Sequence, residues 1–170
     1  REHLKEAFEW IDEEVEEKIG KNFYERFGGN FFLDLDRLKK ADIDPRVIYG
    51  IVQNYLPKVE GIERMIYKED IIVSTARDKI THRLQNMIHP HKTPEIFPIV
   101  TKGYLYKSPY GTGHGSPYDY DTHVPLIFSH IQSQRVSNAT PRATVDIAPT
   151  IAQILGVQIP EYCDGIAIQF

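Results

Sequence analysis

The sequence runs to 170 residues, 41% hydrophobic and 26% charged, the make-up of an ordinary globular chain, which excludes a fibrous or disordered one. The net charge of −4 comes from 20 Lys and Arg against 24 Asp and Glu, with the cations scattered. No basic stripe follows a nucleic-acid backbone, so no nucleic-acid partner is expected.

A chain of this length can bury roughly 68–70% of the surface its unfolded form exposes, so one domain over 1–170 with a real core is expected. The lone Cys163 excludes an internal disulfide and a thiolate metal cluster. No apolar run approaches the ~20 residues of a membrane span. The charged start Arg1-Glu2-His3-Leu4-Lys5 is unlike a signal peptide and reads as mid-protein.

In chain order, Leu4, Phe8, Ile11, Val15 and Ile19 put one apolar stripe on a helix ending at Gly20. Its other face, with Glu13, Glu14, Glu16 and Glu17, reads as solvated. Residues 21–30, rich in glycine and aromatic side chains, read as a loop, and 31–35 as a short strand. Asp44 and Pro45 open a helix with Val47, Ile48, Ile51, Val52 and Tyr55 on one face, and Pro57 stops it. A second strand is expected over 59–67, and periodicity leaves the type of 70–87 open. A third strand is expected around 99–105, followed by a loop over 107–122.

Val124-Pro125-Leu126-Ile127-Phe128 reads as a strand buried on both faces, with the proline near its start. Residues 129–141 read as exposed, and their Asn138-Ala139-Thr140 triplet is too common a pattern to carry weight as a glycosylation acceptor. Asp146 caps a last helix whose Ile147, Ile151, Ile154 and Leu155 share a face, with Pro149 in the first turn and Gly156 at the end. Strands alternating with helices make the fold class α/β.

Chemistry concentrates in the loop. Glycines flank His114 and let the backbone approach a ligand or metal, and imidazole is the commonest zinc ligand. A hydrogen-bonded structural histidine is the plainer reading. His114, Asp119, Asp121 and His123 also offer two imidazoles and two carboxylates, a donor set that suits zinc. If 119–123 is extended, alternate residues there share one face. Turn chemistry is the other reading of Asp119 and Asp121.

The run Gly111-Thr112-Gly113-His114-Gly115-Ser116-Pro117-Tyr118-Asp119-Tyr120-Asp121-Thr122-His123-Val124-Pro125-Leu126-Ile127-Phe128 resembles the alkaline phosphatase superfamily, in its bacterial zinc-dependent phosphatase and nucleotide phosphodiesterase branch. The family pattern is Thr-x-His-Gly, then Tyr-Asp-x-His-Val-Pro-Leu and an apolar strand. Asp146-Ile147-Ala148-Pro149-Thr150-Ile151-Ala152, with Leu155-Gly156 and Asp164-Gly165, resembles the family's C-terminal helix and last turn. The resemblance is sharp from about 112 to 165, weaker from about 31 to 101, and over 1–30 rests on a generic helix.

It implies the C-terminal part of an alkaline-phosphatase-like fold, a mixed sheet flanked by helices. In that frame 1–30 is a helix and loop, 31–106 a mixed α/β segment, and 107–170 a metal-ligand loop, buried strand and terminal helix. The implied parent enzyme cleaves small-molecule phosphate monoesters or diesters through a phospho-enzyme on two zinc ions. His114 would be a ligand of one ion, while Asp121 and His123 would hold the loop. The family's Thr or Ser nucleophile, its N-terminal Asp ligand, its Asp followed by His and its Asp-x-x-x-His pair are all expected upstream. No catalytic residue is therefore expected here, and the chain is read as holding neither Asp-His-Gly nor Asp-x-x-x-His.

Two departures are evident: Gly113 precedes His114, and Thr93-Pro94-Glu95 stands where relatives often carry Ser-Gly-Asp. Alone, the chain is expected to be inactive and to bind zinc poorly. The competing readings are an interaction module on the same scaffold and a small metal-binding protein. Relatives are usually exported, so the resemblance implies a periplasmic or otherwise extracytoplasmic location.

Overall fold

The N-terminal apolar stripe forms helix α1 (Glu2–Ile19), which buries Ala7, Ile11 and Val15 and packs Leu4, Phe8 and Ile19 at their margin. This helix belongs to the first of two units, Arg1–His123 and Val124–Phe170; the computed structural model describes residues 2–104, 113–129 and 135–169.

The first unit is built on four strands, β1 (Tyr24–Phe27), β2 (Asn30–Leu33), β3 (Ile62–Tyr67) and β4 (Ile96–Val100). They lie in the order β1-β2-β4-β3 with antiparallel pairings. Helices α2 (Leu35–Lys40), α3 (Arg46–Tyr55), α4 (Lys68–Ile72), α5 (Lys79–Met87) and α6 (Asp119–Thr122) complete it, so the architecture is α/β.

Residues 21–30, expected as a loop, contain β1 and the turn into β2. Phe27 pairs with Asn30 across Gly28 and Gly29, whose φ values are 58° and 89°. Positive φ at both central residues matches the twist of the flanking strands, and glycine supplies it without a steric cost. The ambiguous stretch 70–87 contains the end of α4 and the whole of α5. Asp78 starts α5, its carboxylate accepting from the amides of Ile80 (3.1 Å) and Thr81 (3.0 Å) and from the Thr81 hydroxyl (2.7 Å).

Side chains alternate across the sheet, so β3 and β4 feed two cores, while β2 feeds one. Phe31, Leu33, Met65, Tyr67 and Ile96 join Ile11, Val15, Ile48 and Val52 on one face. Ile66, Phe97 and Ile99 join Ile71, Leu84 and Tyr118 on the other. β2 meets β4 only at Phe31 and Ile96, so among the described residues β4 has an open edge beyond that pair. Pro98, which has no N–H to offer a ladder, is tolerated there.

In the second unit α7 (Ile147–Leu155) follows a 3-10 turn over Thr144–Asp146 and ends at Gly156, φ 66°. The Asp146 carboxylate accepts from the amides of Ala143 (3.0 Å) and Ile166 (2.9 Å), and Thr150 Oγ1 accepts from Ile168 (2.9 Å). The helix thereby holds the C-terminal segment. The strand expected over 124–128 is not formed: Val124 is 64%, Leu126 41% and Ile127 79% exposed. Such a strand takes its hydrogen-bond partners from neighbouring strands, and the described residues of this unit contain none.

Candidate functional site

His114 stands on the segment that leads into α6, within the first unit. It is exposed and lines a cleft of about 920 Å³ with Arg83, Lys92, Phe97, Ile99 and Tyr120. Asn30 and Pro98 also line this cleft, so it lies where β2 and β4 part company.

Four tethers fix the segment after His114. Asp121 Oδ2 accepts from the Ser116 amide at 2.5 Å, and that bond, first among several, holds the Asp121 carboxyl below the ordinary range. Arg83 donates from Nη1 to the Pro117 carbonyl and from Nη2 to Asp119 Oδ1, each at 2.7 Å. Arg83, followed by Lys79 at 3.7 Å, keeps the Asp119 carboxyl low. Tyr118 is buried and its hydroxyl donates to the Glu63 carboxylate and lies 3.0 Å from the Val100 carbonyl. Burial, with Glu63 second, pushes that phenol up to about 12. Tyr120 stacks on Tyr118 with ring centroids 5.9 Å apart, and its hydroxyl accepts from the Gly103 amide at 3.3 Å. Gly115 adopts φ 98° with nothing near a would-be Cβ, so its part is backbone shape and not close approach.

The four-residue cluster does not assemble. Residues Asp119–Thr122 are helical and not extended, so Asp119, Asp121 and His123 do not share a face by alternation. Asp119 is occupied by Arg83 and Asp121 by Ser116. Among the described residues no group of three His, Cys, Asp or Glu side chains is placed to hold a metal.

The chain does contain Asp-x-x-x-His, contrary to expectation, and twice: Asp78 with His82, and Asp119 with His123. Both pairs begin at the start of a helix. Asp78 spends its oxygens on the α5 cap, and His82 Nδ1 lies 3.4 Å from Asn86 Nδ2. In the first pair the spacing records capping chemistry, and in the second Asp119 pairs with Arg83.

Glu95, in the Thr93-Pro94-Glu95 departure, is structural as well. Its Oε1 lies 2.7 Å from Lys68 Nζ, and its Oε2 accepts from the Leu33 amide at 2.8 Å. Lys68 also donates to the carbonyls of Pro90 (3.0 Å) and Thr93 (3.3 Å). The pair, with side chains 8% and 13% exposed, fastens the turn that carries Lys92 and Thr93 to the cleft. Sequence reasoning missed Lys68, and a lysine following an apolar strand gave no signal of burial.

No family model matches the chain. Alkaline phosphatase PhoV of Synechococcus elongatus is 25% identical over 135 residues, covering 79% of this chain and 24% of that protein. Alkaline phosphatase PafA of Elizabethkingia meningoseptica is 25% identical over 164 residues, 90% of this chain and 30% of that protein. A calcium-transporting ATPase of Myroides odoratus is 26% identical over 139 residues, 81% of this chain and 25% of that protein. The crystal structure of wild-type PafA matches 96% of this chain and 32% of its own with a TM-score of 0.77 at 23% identity, a likeness of fold. The chain thus spans 24–30% of the length of the three relatives.

Proposed function

From a chain related to the alkaline phosphatases and built on part of their fold, we propose that the parent protein is a phosphohydrolase acting on small-molecule phosphate monoesters or diesters. This chain contributes C-terminal scaffold and one metal-ligating imidazole, His114. The observation that carries the reading is the position of the family-like segment: residues 113–117 and 120–122 line a cleft, the exposed His114 among them.

Zinc coordination takes about four ligands, and one imidazole is a corner of a site and not a site. The described residues do not fit a complete zinc centre. Their own contribution is shape and charge. Phe97 and Ile99 give the cleft an apolar wall suited to the organic part of an ester, and Lys92 places a cation at its rim. No helix among the described residues is long and apolar enough to cross a membrane. Export to the periplasm or cell surface follows from the same resemblance.

The test uses the longer polypeptide that carries this chain. Phosphate release from 4-nitrophenyl phosphate should fall at least about 100-fold in His114→Ala, since even outer-shell partners of a metal ligand are worth 10–100-fold. Bound zinc, by elemental analysis, should fall with it. Unchanged turnover and zinc content would remove His114 as a ligand and leave this chain as scaffold alone within an active hydrolase. A wild-type polypeptide that liberates 4-nitrophenol from neither 4-nitrophenyl phosphate nor bis(4-nitrophenyl) phosphate would remove the hydrolase reading and favour a non-catalytic interaction module on this scaffold. The isolated chain is expected to be inactive.

A further inference from the structure

We propose that Arg83 is the positioning residue of the His114 loop, reaching from α5 to set the turn over 115–119 and so the place of His114 at the cleft. The inference rests on reading His114 as the functional imidazole.

Arg83 bonds two acceptors of different kind, the backbone carbonyl of Pro117 and the carboxylate of Asp119, both at 2.7 Å. A planar guanidinium that donates along two directions fixes the orientation of what it holds as well as its distance, which a single ammonium does not do. The base of this fork is firm. Asp78 caps α5, Leu84 buries its apolar face, and Gln85 Nε2 donates to the carbonyls of Ile71 (3.1 Å) and Ser74 (2.8 Å). Arg83 lines the same cleft as His114.

The other three tethers hold different atoms: Tyr118 and Tyr120 through their hydroxyls and Ser116 through its amide. Lys79, at 3.7 Å from Asp119, supplies charge to the carboxylate but nothing to the Pro117 carbonyl. Geometry and not charge is therefore the part of Arg83 that a lysine cannot replace.

The test uses the purified 170-residue chain without metal, so its outcome does not depend on whether His114 binds zinc in the parent. In Arg83→Gln and Arg83→Lys, nuclear magnetic resonance should show the His114 ring signals displaced and the Ser116 and Asp121 amides exchanging about tenfold faster or more. The α5 amides should keep their protection. The lysine variant should fail to restore the wild-type ring signals although it restores the charge. Unchanged His114 signals and Ser116 exchange in both variants, or full rescue by lysine, would overturn the proposal. If α5 itself loses protection, Asp119→Asn weakens the contact from the other partner and is read in the same way: displaced His114 signals support the proposal and unchanged ones overturn it. Failure of the ligand reading has a separate signature, retained turnover of His114→Ala in the parent.

Discussion

Lys68 is 7% exposed, and its amine is met by the carbonyls of Pro90 and Thr93 and by the Glu95 carboxylate. A cation is tolerated inside a protein when its donors are satisfied, and the same enclosure penalises whichever partner is left behind. Lys68→Met should therefore cost about 3–5 kcal/mol in chemical denaturation, because Glu95 stays buried with the Leu33 amide and no counter-charge. Adding Glu95→Gln, which keeps an acceptor for Leu33, should recover a large part of that loss. Equal stability of the single and double variants would show that the pairing is not what matters. Gly165 is a second single-residue constraint. A Cβ there would stand 2.0 Å from the Val145 carbonyl oxygen, a backbone atom that cannot swing aside. Gly165→Ala should cost about 1–3 kcal/mol, read as faster exchange of the Ile166 amide, which bonds Asp146. Unaltered exchange would count against that packing.

At the scale of elements, α5 depends on a titratable cap. The Thr81 hydroxyl, then the Thr81 amide, hold the Asp78 carboxyl below its ordinary range. An unfolded aspartate takes up a proton near pH ~3.9, whereas the folded one does so at lower pH. The cap's stabilisation is then complete above the unfolded value and is lost as pH falls through the folded one. Protection of the Ile80 and Thr81 amides should decline over that acidic window in the wild type. Asp78→Asn keeps a capping oxygen without a titratable proton and should remove the Asp78 part of the decline; an identical pH profile would show that this carboxylate is not the cause.

The helices α3 and α7 were legible because an apolar face, a cap and a stop coincide in each stretch, and α1 through its apolar stripe and the stop at Gly20. β1 was not, since Glu25, Arg26 and Phe27 are all exposed and give no alternation. Only the Gly28-Gly29 pair hinted at a hairpin. α2 is six residues long with one buried side chain, Leu38, too little for a period to show. The site divides along the same line. His114 stood out through its local motif, whereas Arg83 acts on Asp119, 36 positions away, and no local pattern reports such a pairing.

At the scale of the molecule, the two units differ in how much they bury. The first packs apolar side chains on both faces of its sheet. In the second, Pro149, Thr150, Ala152 and Ile168 are buried, while Ile154, Leu155, Val157, Tyr162 and Ile166 remain exposed. The run over 124–128 has a further consequence, for colloidal behaviour. Its four apolar residues besides the proline, with no charge among them, make the kind of window that stacks into cross-β assemblies, and a proline within such a window blocks the stacking. Pro125 sits second in this run, exposed between Val124 and Leu126. Pro125→Val should shorten the lag before light scattering rises in a concentrated solution of the chain, and an unchanged lag would count against it. The residue that costs this segment a backbone donor also protects the chain from its own copies.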